Sequence, residues 1–247
     1  MERKIRVGAV SYLNTRPLVY GFEHGMMQAE IELSYDYPAK VASQLLNDEI
    51  DVGLIPVAVI PKLKEHHIIS NYCIGASQAV ASVCLFSDVP LEEIESILVD
   101  YQSRTSAALL RVLLKEFWKI SPTLIDTSNG YQQNIKGTTA GLVIGDRALT
   151  QRQYSTYIYD LAAAWQTMTG LPFVFAAWVA NKKLPDDFSK RFDEANALGF
   201  HHLDEIVAGI DFPQYDLHQY YTENLDYVLD ERKREAIRRF HAYLAAQ

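Results

Sequence analysis

Cysteine is scarce in this chain, which has two among 247 residues. Cys73 and Cys84 do not form a C-x-x-C pair, and two cysteines in a chain of this size give no disulfide framework. Metal-ligand spacings such as H-E-x-x-H are also missing, so the sequence predicts no metal and no other cofactor. We expect Cys73 and Cys84 to be buried, reduced thiols, because the sequence gives them no disulfide framework.

Long apolar runs are missing as well. No stretch approaches the roughly 20 apolar residues that cross a membrane. Near the N-terminus, Arg3, Lys4 and Arg6 precede an apolar run that Gly8 and Ser11 interrupt, and no small-residue cleavage site follows. The sequence therefore predicts no signal peptide and no membrane contact, and it favours the cytoplasm as the compartment.

Positive charge is in short supply. The chain has 23 Lys and Arg against 31 Asp and Glu, a formal net charge of -8 at pH 7. Because nucleic-acid surfaces need clustered Lys and Arg, this balance predicts no nucleic-acid partner. The basic run Arg232-Lys233-Arg234 is flanked by Glu231 and Glu235, so we interpret it as a solvated helix face.

Apolar residues make up 49% of the chain, enough for one large domain or two small lobes. Short apolar runs alternate with helical periodicity, which predicts two successive α/β units with mainly parallel sheets. The predicted strands span residues 5–10, 31–35, 51–55, 83–86, 97–99, 123–125, 141–144 and 173–179. The predicted helices span residues 17–27, 38–46, 104–118, 160–168, 186–198, 202–210 and 227–244.

This order of elements predicts an α/β protein of two lobes that the chain crosses twice. We assign residues 1–83 and 176–247 to the first lobe and residues 84–175 to the second. In such a protein the ligand binds in the cleft between the lobes, where the carboxyl ends of strands and the starts of helices converge.

Two polar clusters follow predicted strands and begin predicted helices. The first contains Ser11, Asn14 and Arg16, and the second is the run Ser103-Arg104-Thr105-Ser106. The first turn of a helix has free N–H groups and a positive dipole end, so a carboxylate or phosphate can bind there. Arginine adds a planar fork suited to carboxylates. The two clusters predict a ligand with two anionic ends, although Asn14 or Ser103 alone is also typical of a helix cap.

Gly145 and Asp146 end the predicted strand 141–144 at the same edge of the sheet. The glycine permits a close approach of the backbone to a ligand. We interpret Asp146 chiefly as the cap of the helix that contains Arg147 and Leu149, with a contact to ligand as the alternative. We include both Gly145 and Asp146 among the candidate substrate-binding residues.

The histidines do not form a predicted site. We expect the pairs His66-His67 and His201-His202 on surface helices or loops, since adjacent histidines cannot share one helix face. A reaction that needs a general base would therefore have to find that base elsewhere in this chain.

Several blocks of the sequence resemble the chorismate dehydratases of the futalosine route to menaquinone. The likeness extends in the same order from residue 5 to about residue 180. The blocks are VGAVSYLNTRPL at 7–18, DVGLIPV at 51–57, SRTS at 103–106, IGD at 144–146, YDL at 159–161, Trp165 and TGLPFVF at 169–175.

This resemblance implies a fold like that of the type II periplasmic binding proteins, with the cleft converted to an active site. The implied reaction removes water from chorismate and gives 3-[(1-carboxyvinyl)oxy]benzoate, without a cofactor. Asn14 and Ser82 would be the active-site residues, and residues 103–106 would hold a substrate carboxylate. The family segment before the equivalent of Ser82 often has a glycine, whereas Ser77-Gln78-Ala79 has none.

Two other functions stay open at this point. The fold alone favours a solute-binding protein for a small carboxylate that performs no catalysis. The sister enzyme that makes 1,4-dihydroxy-6-naphthoate uses the same fold for a larger substrate, although its opening motif differs from Ser11-Tyr12-Leu13-Asn14. For the dehydratase we expect positioning and electrostatics to dominate, with the enolpyruvyl carboxylate of the substrate as a candidate base.

Overall fold

The computed structural model describes residues 3–185 and 187–246 and contains two five-stranded sheets. The first sheet has the strand order β2-β1-β3-β10-β4. Its strands are β1 (Ile5–Val10), β2 (Ile31–Asp36), β3 (Val52–Pro56), β4 (His67–Ala76) and β10 (Phe173–Ala180). The second sheet has the order β7-β6-β8-β5-β9. Its strands are β5 (Val83–Ser87), β6 (Ser96–Val99), β7 (Thr123–Asp126), β8 (Thr139–Ile144) and β9 (Tyr157–Asp160).

The two sheets share one plan. In the first, β1 pairs in parallel with β2 and β3, and β10 runs antiparallel between β3 and β4. In the second, β6 pairs in parallel with β7 and β8, and β5 runs antiparallel between β8 and β9. The chain moves from one sheet to the other between β4 and β5 and returns between β9 and β10. The α/β class and the two crossings are thus confirmed, while the residue boundaries of the lobes stay a prediction.

Helices alternate with these strands and complete the C-terminal part. They are α1 (Arg16–Glu23), α2 (Pro38–Leu46), α3 (Arg104–Leu113), α4 (Asp146–Gln151), α5 (Leu161–Thr169), α6 (Phe188–Leu198), α7 (Leu203–Ala208), α8 (Leu217–Gln219) and α9 (Glu231–Ala245). Side-chain caps fix where several begin: Ser103, Asp160 and Asp230 each accept hydrogen bonds from N–H groups in the first turn of the helix that follows.

Some predicted elements differ from the structure. His66 lies in a loop as expected, whereas His67 begins the ten-residue strand β4, and both residues are exposed. The polar residues Ser70 and Asn71 interrupt the apolar pattern of β4. This segment forms a strand because it pairs with β10, and the local sequence does not indicate that pairing. The first helix ends at Glu23 instead of residue 27, and a left-handed Gly25 follows.

The solvated-face interpretation of the basic C-terminal run is wrong for one residue. The side chain of Lys233 is 2% exposed, and its ammonium group lies 2.6 Å from Oδ2 of Asp226. The neighbouring Arg232 and Arg234 remain near the surface. A long apolar stem can follow the core to reach a carboxylate, which a charge count along the helix does not anticipate.

The two thiols follow the prediction. Cys73 and Cys84 are buried and free. Burial raises the pKa of the Cys73 thiol to about 12. Within residues 3–185 and 187–246, no helix combines the length and apolar character needed to cross a membrane.

Candidate active site

A narrow cleft with a cavity volume of about 40 Å³ lies where the two sheets meet. Its walls come from both sheets, because Val10 ends β1, Ile144 ends β8 and Phe175 lies in β10. The residues that line it are Val10, Tyr12, Asn14, Pro38, Pro56, Ile74, Val80, Ser82, Val83, Ser103, Ser106, Ile144, Gly145, Phe175 and Ala176. A concave space lined by a mixture of apolar and polar groups is typical of small-molecule sites.

Asn14 and Ser82 reach this cleft from different parts of the chain. Asn14 lies on the short 3-10 turn Leu13–Thr15 after β1, and its Oδ1 atom accepts a hydrogen bond from Thr15 Oγ1 at 3.2 Å. Ser82 directly precedes β5 and is 1% exposed. Its Oγ atom accepts a hydrogen bond from the hydroxyl of Tyr220 at 2.7 Å. The two candidate catalytic residues therefore line one cleft, and their roles stay a prediction.

Ser103 and Ser106 form the polar end of the cleft at the start of α3. Ser103 Oγ accepts the N–H of Ser106 at 3.1 Å and donates to Ser106 Oγ at 2.9 Å. Both side chains are buried and line the cleft. A ten-residue helix thus points its positive end and two hydroxyl groups at the ligand space, which is suited to a carboxylate.

Arg104 and Thr105 point elsewhere. The exposed guanidinium group of Arg104 donates to Ser43 Oγ on α2 at 3.1 Å. Thr105 is fully buried, and its Oγ1 atom accepts the N–H of Ala58 at 3.1 Å. Both residues thus connect elements around the two sheets, and neither lines the cleft. Their role in substrate binding stays a prediction.

Ser11 and Arg16 line a second cavity beside the first. The two cavities share Val10 and Tyr12, so the ring of Tyr12 lies next to both. Ser11 and Arg16 are exposed. The two predicted clusters therefore face adjoining spaces, with Asn14, Ser103 and Ser106 in one and Ser11 and Arg16 in the other.

Gly145 supports the wall of the cleft. Its φ of +63° is in the left-handed region, and a Cβ atom there would lie 2.9 Å from the ring of Tyr12. Its N–H donates to the carbonyl oxygen of Ser82 at 2.8 Å. Only glycine combines this backbone conformation with contact to the Tyr12 ring, so the residue positions Ser82 and Tyr12 together.

Asp146 does not cap α4 as predicted. It is the first residue of that helix, and the preceding Gly145 provides no side-chain cap. Its carboxylate instead accepts the N–H of Leu13, at 3.0 Å from Oδ1, and so joins the second sheet to the turn that contains Asn14. Burial raises the pKa of Asp146 to about 6, although the hydrogen bond from Leu13 opposes this.

A buried polar network that was not among the predicted site residues lies behind Tyr12. Asp100 accepts the hydroxyl proton of Tyr131 at 2.7 Å and a guanidinium N–H of Arg147 at 2.8 Å. Arg147 also donates to Gln102, which accepts the hydroxyl of Tyr12. Asp100 follows β6 directly, and this position at a strand end was the available signal.

The cleft is nearly free of titratable groups. Among the described residues that line it, Tyr12 is the only one with an ionisable side chain, and burial holds the pKa of its hydroxyl well above the usual value. No group of three or more His, Cys, Asp or Glu side chains in the described ranges is arranged to hold a metal ion. The cleft therefore offers hydrogen bonds, a helix dipole and apolar walls to an anionic ligand.

Two α/β lobes with a ligand cleft between them define the class of periplasmic-binding-protein-like folds. The alkanesulfonate-binding protein SsuA of Xanthomonas axonopodis pv. citri, bound to MOPS, is similar with a TM-score of 0.63 and 12% identity, covering 99% of this chain and 92% of that one. A protein of Archaeoglobus fulgidus is similar with a TM-score of 0.78 and 17% identity, covering 98% and 97%. These likenesses show the fold and confirm that prediction.

The particular family follows from the sequence. Residues 5–246 match the model of a family described as menaquinone biosynthesis, and the chain belongs to this family. A Thermus thermophilus protein named chorismate dehydratase is 26% identical over 258 residues, covering 95% of this chain and 93% of the relative. A Campylobacter jejuni protein of the same name is 26% identical over 243 residues, covering 94% of each. The resemblance predicted from the motifs is confirmed.

Proposed function

We propose that this protein is a chorismate dehydratase, a hydro-lyase that converts chorismate to 3-[(1-carboxyvinyl)oxy]benzoate. The observation that carries the proposal is the cleft of a menaquinone biosynthesis family member, in which Asn14 and Ser82 face the same space as the start of α3. The two relatives named chorismate dehydratase support it. The choice of chorismate and the cytoplasmic location are parts of this proposal.

The start of α3 is suited to one carboxylate of the substrate. Ser106 N–H is already bonded to Ser103 Oγ, and the hydroxyl of Ser106 lines the cleft beside the free end of the helix. Chorismate is a dicarboxylate, so an acidic protein can bind it where local donors outweigh the net charge at contact distance. In our proposal this end of the cleft sets the orientation of the ring.

The reaction itself needs few groups from the protein. The C3–H bond breaks, its electron pair forms the new C3–C4 π bond, and the C4–O bond breaks. The proton removed from C3 leaves with the C4 oxygen as water, and the ring becomes aromatic. Because aromatisation drives the elimination, the protein has to hold the substrate in one geometry and stabilise the departing oxygen.

The base in this proposal is the enolpyruvyl carboxylate of the substrate. This choice is supported by the residues that line the cleft, which include no carboxylate, histidine or lysine side chain among those described. The carboxylate takes the C3 proton, passes it to the leaving oxygen and is regenerated. Asn14 and Ser82 donate hydrogen bonds that orient the ring substituents and stabilise the leaving hydroxyl.

The two alternatives make different predictions for the same purified protein. A solute-binding protein would bind a small carboxylate without changing it, and a 1,4-dihydroxy-6-naphthoate synthase would act on a larger substrate. The first test is to mix the protein with chorismate, without added metal or cofactor, and to follow the products by mass spectrometry. We expect a product lighter by one water that forms only with protein.

Deuterium at C3 of chorismate sharpens this test. The proposed elimination removes that atom, so the product should contain no deuterium. Tight chorismate binding measured by calorimetry without turnover would favour the solute-binding alternative. A protein that neither binds nor converts chorismate would contradict the proposal.

A further inference from the structure

The segment between α7 and α9 contacts both candidate catalytic residues through tyrosine hydroxyls. Tyr220 donates to Ser82 Oγ at 2.7 Å, and Tyr227 donates to the carbonyl oxygen of Asn14 at 2.9 Å. Tyr220 is fully buried, and Tyr227 is 6% exposed. This segment lies outside the motif blocks that carry the family resemblance, which end near residue 180.

The direction of the hydrogen bond between Tyr220 and Ser82 follows from what each hydroxyl can reach. Among the described residues, Ser82 Oγ is the one hydrogen-bond partner of the Tyr220 hydroxyl. A buried hydroxyl whose proton has no acceptor is costly, so the Tyr220 proton is donated to Ser82. Ser82 lines the cleft, and its own proton is therefore left to point into the ligand space.

We propose that Tyr220 is a positioning residue, whose hydroxyl commits Ser82 to donate its proton toward the leaving C4 oxygen of the substrate. This inference rests on the proposed dehydratase function. A hydroxyl that accepts one hydrogen bond becomes a better donor for the next, because bonds in such a chain polarise each other. Tyr220 itself does not touch the cleft and takes no proton from the substrate.

Two further observations support a positioning role. Burial raises the pKa of Tyr220 far above its usual value, so its hydroxyl stays protonated at every working pH. Gly145 N–H holds the carbonyl oxygen of Ser82 at 2.8 Å, so the backbone and the side chain of Ser82 are fixed from separate directions. The Gly145 contact thus holds the backbone of Ser82, and the Tyr220 contact holds its hydroxyl oxygen, before the substrate arrives.

The test compares two tyrosine-to-phenylalanine variants of the full chain. Tyr220→Phe keeps the buried ring and removes the hydroxyl that contacts Ser82. Tyr215→Phe is the matched control, because its hydroxyl donates to Asn224 Oδ1 at 3.0 Å in the same segment and contacts neither Ser82 nor Asn14. With chorismate as substrate, we expect Tyr220→Phe to lower kcat about tenfold with KM within about twofold. Tyr215→Phe should leave both unchanged.

A double-mutant cycle separates positioning from a general structural effect. In a Ser82→Ala background, Tyr220→Phe should cause no further loss of kcat, since Tyr220 acts through the Ser82 hydroxyl. A second full loss in that background would overturn the proposal, as would an unchanged kcat for Tyr220→Phe in an active protein. A wild-type protein without turnover would overturn the proposed function and the role of Tyr220 with it.

A second substitution tests the proposal if the Tyr220→Phe protein does not fold. Difluorotyrosine at position 220 keeps the ring and the hydroxyl and makes the hydroxyl a stronger donor. We expect kcat to change with this replacement at position 220 and to stay constant with the same replacement at position 215. An unchanged kcat at position 220 would overturn the proposal.

Discussion

At the scale of single residues, Asn14 and Ser82 differ in how firmly the protein holds them. Ser82 is buried, with its hydroxyl bonded to Tyr220 and its carbonyl oxygen bonded to Gly145. Asn14 is half-buried, and its side-chain oxygen contacts the neighbouring Thr15. The amide group of Asn14 therefore keeps its two N–H donors for a ligand in the cleft.

We expect Asn14→Ala to lower kcat about a hundredfold while KM changes about threefold or less, because the lost donor acts mainly in the transition state. Steady-state kinetics with chorismate measures both constants. Ser106→Ala is the contrasting variant, since Ser106 would bind the ground state and the transition state alike. Its main effect should be a higher KM. A kcat that Asn14→Ala leaves unchanged would contradict the role of Asn14.

The residue before Ser82 adopts a backbone conformation that alanine disfavours. Ala81 has a φ of 63°, and its N–H donates to Asp160 Oδ2 at 2.8 Å. The carbonyl oxygen of Ala81 accepts a hydrogen bond from Arg152 at 3.2 Å. A left-handed alanine costs about 1–2 kcal/mol, so these contacts hold a strained turn beside the site.

We expect Ala81→Gly to raise the free energy of unfolding by about 0.5–1 kcal/mol, because glycine adopts this φ without steric cost. Urea denaturation measures the change. Ala79→Gly is the matched control, since Ala79 is exposed and has no positive φ. That substitution should leave the free energy of unfolding equal or lower. A lower free energy of unfolding for Ala81→Gly than for wild type would contradict the backbone strain at Ala81.

At the scale of elements, the local sequence predicts the strands whose own residues are apolar. The strands β1 and β8 are apolar runs followed by polar or glycine residues, and both were predicted near their observed positions. The strand β4 was not, because Ser70 and Asn71 lie in its middle and its partner β10 is about a hundred residues away. Strand pairing over that distance leaves no local pattern to read.

One buried carboxylate joins the ends of three elements in the first sheet. Asp51 is 3% exposed and accepts hydrogen bonds from Arg6, Arg3 and Lys182. It precedes β3, while Arg6 lies in β1 and Lys182 follows β10. Burial alone would raise the pKa of Asp51, but these hydrogen bonds hold it well below its usual value.

We expect Asp51→Ala to lower the free energy of unfolding at pH 7 by about 2 kcal/mol, since the partners are partly exposed and keep some solvation. The depressed pKa means that the carboxylate stabilises the fold above its ordinary pKa and that this contribution is lost in acid. The difference between Asp51→Ala and wild type should therefore shrink as the pH falls below about 4. The exposed Glu49→Ala is the control. An equal difference at every pH would contradict this interpretation.

At the scale of the whole molecule, hydrogen bonds connect the two sheets around the cleft. The carboxylate of Asp146 accepts Leu13 N–H, and Thr105 accepts Ala58 N–H. Each bond joins residues of the second α/β unit to residues of the first, as expected for lobes that close around a ligand and exclude water. Asp146 is the charged member of this set.

We expect Asp146→Asn to remove a pH dependence of stability. The pKa of Asp146 is raised from 3.8 to about 6, so the folded protein holds this proton more tightly than the unfolded chain. Between about pH 4 and pH 6, the contribution of Asp146 to the free energy of unfolding therefore falls as the pH rises. The free energy of unfolding of Asp146→Asn minus that of wild type should therefore be higher at pH 7 than at pH 4, by up to about 3 kcal/mol.

Chemical denaturation at several pH values tests this prediction. Asp204→Asn is the control, because its carboxylate is 95% exposed. The control should follow wild type over the same range. Parallel pH curves for Asp146→Asn and wild type would contradict the prediction.

The candidate site was predictable to the extent that its residues follow strands. Gly145 directly follows β8, Asn14 and Ser103 each come four residues after the ends of β1 and β6, and all three line the cleft. The contacts of Tyr220 and Asp146 were not predictable, because they join residues 138 and 133 positions apart. The orientation of a side chain such as Arg104 depends on neighbours that only the folded protein supplies.

The strand β10 has a consequence for how the protein is made. It lies between β3 and β4, so the first sheet has a gap in its middle until Ala180 has left the ribosome. The second sheet uses only residues from Val83 to Asp160 and is complete earlier in synthesis. The part of the chain translated first is therefore the part that finishes folding last, and β4 must wait without its partner.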